Sequence, residues 1–145
     1  MTTVNDILAG KGRHLNTISA QASVFDAAIL MNEHKIGSLL VMEEGRLIGI
    51  LTERDILEGI VADQRDARAT RVEEVMTRDV VCCRPHTDME EARSVMKHRR
   101  IRHLPVLSED GEVVGLISIG DLNAYQVDCQ ERTIYLLQEY IHGPW

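Results

Sequence analysis

Aromatic side chains are almost missing from this chain: one Phe, one Trp and three Tyr make up 3% of its 145 residues. A core without them has to be built from Ile, Leu, Val, Met and Ala, and a surface without them offers no platform on which nucleic-acid bases stack. Basic charge is also in deficit, with 16 Lys and Arg against 23 Asp and Glu and a formal net charge of -7. That balance argues against bulk affinity for nucleic acid or an anionic membrane and favours solubility. Cysteine is scarce and odd in number. Cys82, Cys83 and Cys129 lack metal-ligand spacing and fit reduced thiols better than a disulfide framework, so no metal is expected. No apolar run is long enough to cross a bilayer, and Met1-Thr2-Thr3-Val4-Asn5-Asp6 lacks the basic and apolar regions of a secretory signal. The cytoplasm is the expected compartment, with no membrane partner. A His-x-x-x-His pair, a nucleophile elbow and a Walker loop are missing too, which argues against an enzyme.

What is present is 44% hydrophobic and 27% charged, ordinary globular content, and it repeats itself. Setting Ala27 on Ala92 brings Met31 onto Met96, Ile36 onto Ile101, Leu39 onto Leu104 and Val41 onto Val106. After one inserted residue, Gly45 falls on Gly111, Gly49 on Gly115, Thr52 on Ser118 and Asp55 on Asp121. A unit of about 60 residues buries too little surface to be comfortable alone, so the two are expected to pack together as one module spanning 1–145.

Each unit reads strand, helix, strand, strand, helix, an α/β (α+β) pattern with a small mixed sheet. Val4 to Ala9 is expected to be a short helix stopped by Gly10 and Gly12. In the first unit, 13–64, Thr17-Ile18-Ser19 is a strand and Ser23 caps a helix carrying Val24, Ala27, Ala28, Leu30 and Met31. Leu39–Met42 and Leu47–Leu51 form a hairpin around Glu43-Glu44-Gly45-Arg46. A helix follows from Glu53, with Ile56, Leu57, Ile60 and Val61 as its buried stripe. Residues 65–78 are the linker; Asp63–Arg71 is polar, and Val72–Met76 makes one helical turn leading into the second unit. In that unit, 79–127, Val80–Cys83 is the first strand and Asp88 caps a helix bearing Met89, Ala92, Val95 and Met96. Leu104–Leu107 and Val113–Ile117 form the second hairpin, and a closing helix starts at Gly120. A C-terminal helix, 128–145, carries Ile134, Leu137 and Ile141 on one face.

Each third strand ends in Gly-h-h-Thr/Ser-x-x-Asp, where h is apolar: Gly49 to Asp55 and Gly115 to Asp121. As a capping box this motif stabilises a helix start by roughly 1 kcal/mol. Occurring twice at equivalent places, it also marks a candidate pair of sites. With the tandem repeat and the run Ile101-Arg102-His103-Leu104-Pro105-Val106, it resembles the CBS domain pair, or Bateman module, over roughly Thr17 to Asn123.

That resemblance implies a pseudo-two-fold module with two clefts between the repeats that bind adenosine-containing ligands such as AMP, ATP or S-adenosylmethionine. Asp55 and Asp121 are then the ribose acceptors, an ionised carboxylate being able to take two adjacent O–H donors. Thr52, Arg54, Ser118, Arg102 and His103 are the phosphate contacts, helped by the helix N-terminus and by the planar fork of arginine. Thr17, Ser19, Ile36, Gly37, Ser38, Ile101 and Pro105 line the clefts. Gly37-Ser38 stands where the second repeat has Arg102-His103, and Arg54 where it has Gly120, so the clefts are expected to differ, with Thr52/Asp55 the better adenylate site. Room left by Gly37 and Gly120 suits a longer dinucleotide such as NAD.

The module is therefore expected to sense an adenine nucleotide and signal to an effector protein in trans. It is also expected to form a homodimer, as the resemblance implies and as the apolar positions Ile56, Leu57, Ile60, Leu122, Ile134, Leu137 and Ile141 suggest. A homodimerisation module without ligand is the alternative, an enzyme a weaker one. The basic run Lys97–His103 is too short and too poor in aromatics for a nucleic-acid module.

Overall fold

The computed structural model describes residues 1–12 and 14–126. Arg13, Val127, Cys129 and the expected C-terminal helix with Ile134, Leu137 and Ile141 lie outside the described residues. The fold is mixed α and β, with tandem repeats of one pattern, and the chain divides into two compact units. One takes in 14–82 with 109–113; the described part of the other takes in 1–12, 83–108 and 114–126.

In the unit holding the first repeat, strand β1 (Thr17–Ser19) runs parallel to β2 (Ser38–Glu43), which pairs antiparallel with β3 (Arg46–Thr52). The β2–β3 turn is the two-residue Glu44-Gly45 with φ of 50° and 77°, both positive, as a hairpin turn matched to strand twist requires. Helix α2 (Val24–His34) starts where Ser23 Oγ accepts from Asp26 N–H at 3.0 Å and stops at Lys35, left-handed at φ 53°. Ala27 and Met31 from α2 meet Leu39, Val41 and Leu51 from the sheet in an aliphatic core. Helix α3 (Glu53–Ile56) passes directly into a π-helical stretch, Leu57–Ala62.

The wider π turns redirect the expected apolar stripe. Ile60 is buried, while Leu57 and Val61 are 59% and 63% exposed. The polar segment after it does not hang free. Thr70 is buried, and the Ala67 and Thr70 carbonyls accept from Phe25 and Val24 N–H, satisfying donors that the first turn of α2 leaves open. Helix α4 (Val72–Val75), expected to lead into the second repeat, instead folds onto the first: Val72 and Met76 belong to its core, and Thr77 exchanges both backbone bonds with Ile50 of β3.

The other unit repeats the backbone exchange between its short helix and its longer one. Helix α1 (Val4–Lys11) runs through Gly10 and ends at Gly12, whose φ of 95° suits glycine; Gly10 was expected to stop it and does not. Val4 N–H donates to the Thr87 carbonyl and Met89 N–H to the Thr2 carbonyl, the same exchange that Val72 and Val24 make with Ala22 and Thr70. Helix α5 (Met89–Arg99), capped by Asp88 and ended by left-handed Arg100, packs Ala92 and Met96 inward. Strands β4 (His103–Leu107) and β5 (Val113–Ser118) pair, and residues 119–126 form a further helix, α6. Val80–Cys83 is not a strand: within it only Cys83 pairs, as one bridge to Val106, and Pro85 lacks the N–H that would extend it. Leu122 is fully buried and Ile60 nearly so; these two expected interface residues are covered by their own chain.

Candidate functional site

Both hydroxyl-carboxylate turns form at a strand-to-helix junction. At the first, Thr52 is the last residue of β3 and the N-cap of α3. Its Oγ1 accepts from Asp55 N–H at 3.2 Å, and Asp55 Oδ2 accepts from Thr52 N–H at 2.9 Å. Asp55 Oδ1 accepts from the Thr77 hydroxyl at 3.0 Å. Ser38, buried, stands opposite Thr52 in the ladder, and the Gly37 carbonyl accepts from Glu53 N–H at 3.1 Å. Ile36, Gly37, Ser38, Thr52 and Asp55 therefore gather at one end of the β2–β3 pair.

The second turn repeats this geometry. Asp121 Oδ2 accepts from Ser118 N–H at 2.8 Å, and Ser118 Oγ from Asp121 N–H at 3.1 Å. The Arg102 carbonyl accepts from Ile119 N–H at 2.9 Å, as Gly37 does from Glu53, which sets Arg102 and His103 beside Ser118. Here a lysine takes part: Lys11 Nζ, at the end of α1, lies 2.6 Å from Asp121 Oδ2 and donates to the Leu116 carbonyl at 2.7 Å.

Other expected residues are placed less directly. Thr17 and Ser19 are exposed on β1, in register with Leu40 and Met42, and Ser19 Oγ accepts from Gln21 N–H at 3.2 Å. Pro105 is buried in β4, where its carbonyl accepts from Cys83 N–H, and Ile101 is half-buried. Arg54 points away from the turn: its Nε donates to Glu58 Oε1 at 2.8 Å with the side chain 70% exposed, and that bond and charge raise its already high pKa further. An open cavity of about 500 Å³ lies between the end of α2 and the start of α3, lined by Ala28, Met31, Asn32, Lys35, Ile36, Glu53 and Ile56. Ile36 alone of the expected site residues lines it.

Thr77 and Lys11 are the partners that sequence reasoning missed. Val4 and Leu8 stand to Val72 and Met76 at one constant separation, which relates α1 to α4, but that spacing sets Thr77 on Ala9 and Lys11 on Asp79, so no sequence signal points to these two partners. Among the described residues no group of three or more His, Cys, Asp and Glu is arranged to hold a metal ion, and no helix is long and apolar enough to cross a membrane.

Each of the two units thus carries the same hydroxyl-carboxylate turn at the end of its hairpin, the mark of a tandem-repeat protein. The chain belongs to the CBS domain family, whose model matches residues 4–62 and 72–128. It is a CBS domain pair, a kind of module that typically binds adenosine ligands. The chain is 35% identical over 127 residues to the CBS domain-containing protein YhcV of Bacillus subtilis, covering 88% of this chain and 87% of that one. It is 32% identical over 151 residues to the mitochondrial CBS domain-containing protein CBSX3 of Arabidopsis thaliana, covering 98% and 73%. A solved structure of a candidate signal-transduction protein with CBS domains from Burkholderia ambifaria superposes with a TM-score of 0.84 at 42% identity, covering 88% and 95%.

Proposed function

We propose that this CBS pair is a non-enzymatic sensor of an adenosine-containing nucleotide, AMP, ATP or NAD, that reports occupancy to an effector protein in trans. The observation that carries the reading is the doubled turn, in which a hydroxyl, a carboxylate and a helix N-terminus converge at one strand end in each repeat. Asp55 takes the ribose hydroxyls: its carboxylate has about four acceptor positions, and two bonds leave capacity for ligand O–H donors. Asp121 is its counterpart in the second repeat. Thr52 and Ser118 sit at the N-termini of α3 and α6, where the hydroxyls and the positive end of the helix dipole favour phosphate, although the first and third N–H groups of each helix are already bonded within the chain. Arg102, exposed, and His103, half-buried, add cationic or hydrogen-bonding character. Arg54 joins them by leaving Glu58, a weak competitor because the pair is solvent-exposed. Thr17, Ser19, Ile36, Gly37, Ser38, Ile101 and Pro105 supply the remaining surface for the base and sugar.

The module acts as a homodimer in the cytoplasm on this reading, with exposed Leu57 and Val61 in its interface. A ligand that binds one arrangement of the module better than another shifts the population a partner meets. A second reading, a dimerisation unit without ligand, draws on the same bonds, since Thr52–Asp55 and Ser118–Asp121 already cap helices. A thermal-shift panel of AMP, ADP, ATP, NAD, NADH and S-adenosylmethionine separates the two. A ligand that binds only the folded chain raises its apparent stability by about 2.7 kcal/mol at a hundred times Kd. No shift with any of them leaves the structural unit.

A further inference from the structure

In most of the chain the cationic side chains find anions close by: Lys11, Arg54, Arg65, Arg71 and Arg93 all pair with carboxylates. The end of α5 is different. Lys97, Arg99, Arg100 and Arg102 are all exposed, and among the described residues none of them enters an ion pair. The acids of α5 itself, Glu90 and Glu91, stand in its first turn, at the other end of a helix about 16 Å long.

The helix end does not call for this charge, and the first repeat supplies the comparison. Asn32-Glu33-His34-Lys35 stands where the second has Lys97-His98-Arg99-Arg100. Both helices stop at a left-handed residue, Lys35 at φ 53° and Arg100 at φ 54°, and in both the next N–H donates back to a methionine carbonyl at 3.0 Å, Ile36 to Met31 and Ile101 to Met96. The same turn therefore forms on a segment without net charge. A single cation there already complements the negative end of the helix dipole. Further ones repel each other, as Lys97 and Arg100 do three residues apart.

An exposed cluster that the fold neither neutralises nor requires fits an anion from outside. A nucleic-acid strand is disfavoured by the net charge of -7 and by the absence of aromatic side chains from the run. Protein carboxylates suit it better. Each guanidinium fork holds two carboxylate oxygens, and contacts at an exposed site are screened by salt and reversible, as signalling requires. Resting on the reading above only in that an effector is met in trans, we infer that Lys97, Arg99, Arg100 and Arg102 form the docking surface for an acidic segment of that effector.

Fluorescence anisotropy of a labelled Glu- and Asp-rich peptide against the full chain tests this, with a short DNA duplex as a parallel probe. The informative variant writes the first repeat into the second, Lys97→Asn, His98→Glu, Arg99→His and Arg100→Lys, and leaves Arg102 in place. It keeps a helix end that this chain already forms. The peptide binds the unaltered chain, more tightly at low salt, and loses roughly tenfold on the exchanged chain, about a factor of two or more for each exposed ion pair removed. Lys35→Gln with Arg46→Gln, two cations exposed elsewhere, leaves its affinity unchanged. If the exchanged chain fails to melt cooperatively, Arg99→Gln with Arg100→Asn serves in the same role. Equal peptide affinity on the exchanged chain overturns the surface, and so does an equal loss on the Lys35 and Arg46 variant, which makes the effect one of net charge. A duplex that binds more tightly than the peptide also overturns it. ATP titrated into the same chains reads the sensor separately: nucleotide binding without peptide binding removes the docking surface alone, while peptide binding that the exchange abolishes, with no nucleotide bound, keeps the surface and removes the sensor.

Discussion

Replacing Gly49 by alanine puts a methyl group into space that the α4 segment already fills. Gly49 is buried in β3, and a Cβ built there lies 2.6 Å from Met76 Sδ, 3.1 Å from Met76 Cγ and 3.0 Å from the Thr77 carbonyl oxygen. Non-bonded carbon contacts settle near 3.5–4.0 Å, so every one of these must lengthen. The Met76 side chain is flexible but packed in the core, and Thr77 is fixed by bonds of 3.0 and 2.9 Å to Ile50. The segment must therefore shift as a piece. Overpacking of this kind costs about 1–3 kcal/mol, and at about 2–4 °C per kcal/mol for a chain near this size, a loss of ~2 kcal/mol lowers Tm by roughly 4–8 °C. Gly115→Ala is the internal comparison, because there the close atoms are all in the Leu8 side chain, Cδ2 at 2.7 Å and Cδ1 at 2.8 Å, with no backbone among them. It should cost less. Urea denaturation with unchanged m-value measures both. A Gly49→Ala chain within about 0.5 kcal/mol of the unaltered one, the scatter of harmless surface changes, refutes the close packing of Met76 and Thr77 on β3.

Three further outcomes are expected. Arg102→Ala should weaken AMP roughly tenfold or more, the scale of a lost charge-assisted bond, and adenosine far less; Arg54→Ala should show the same contrast in smaller degree, and equal losses for both ligands assign these residues to packing instead. Glu74 accepts from Arg71 N–H at 2.7 Å and from the Arg65 guanidinium at 2.6 Å, which holds its carboxyl below the usual range. A depressed folded-state pKa stabilises above the unfolded value of about 4.3, and the advantage is lost as pH falls through the folded value. Melting curves should thus separate the unaltered chain from Glu74→Gln at pH 7 and converge in acid; a gap that widens in acid contradicts the sign. Leu57→Glu with Val61→Glu should turn a dimer into a monomer by light scattering, and a persistent dimer moves the interface elsewhere.

Much of the fold was legible because its signals are local. Glu44-Gly45 dictates its own turn, Ser23 and Asp88 cap the helices that follow them, and Thr52-x-x-Asp55 and Ser118-x-x-Asp121 form the expected reciprocal bonds. What could not be read depends on distant pairing. Val80–Cys83 has strand composition but finds a ladder partner only at Cys83, and Leu57 and Val61 follow a helical stripe until the π turns rotate them outward. The lead-in helices were the larger miss: α4 packs with the repeat it follows, and α1 with segments near residue 88 and strand β5. Lys11 and Thr77 reach the motif aspartates only through that arrangement.

Titration of AMP, ATP and NAD into the unaltered chain, Asp55→Ala and Asp55→Asn, with folding verified by melting, tests the sensor reading most directly. The prediction is a loss of about 1.5–3 kcal/mol in binding for Asp55→Ala, the range for a hydrogen bond to a charged group, with the chain still folded. Equal affinity in all three chains, or variants that lose only thermal stability, would contradict it and leave Asp55 as a helix cap alone.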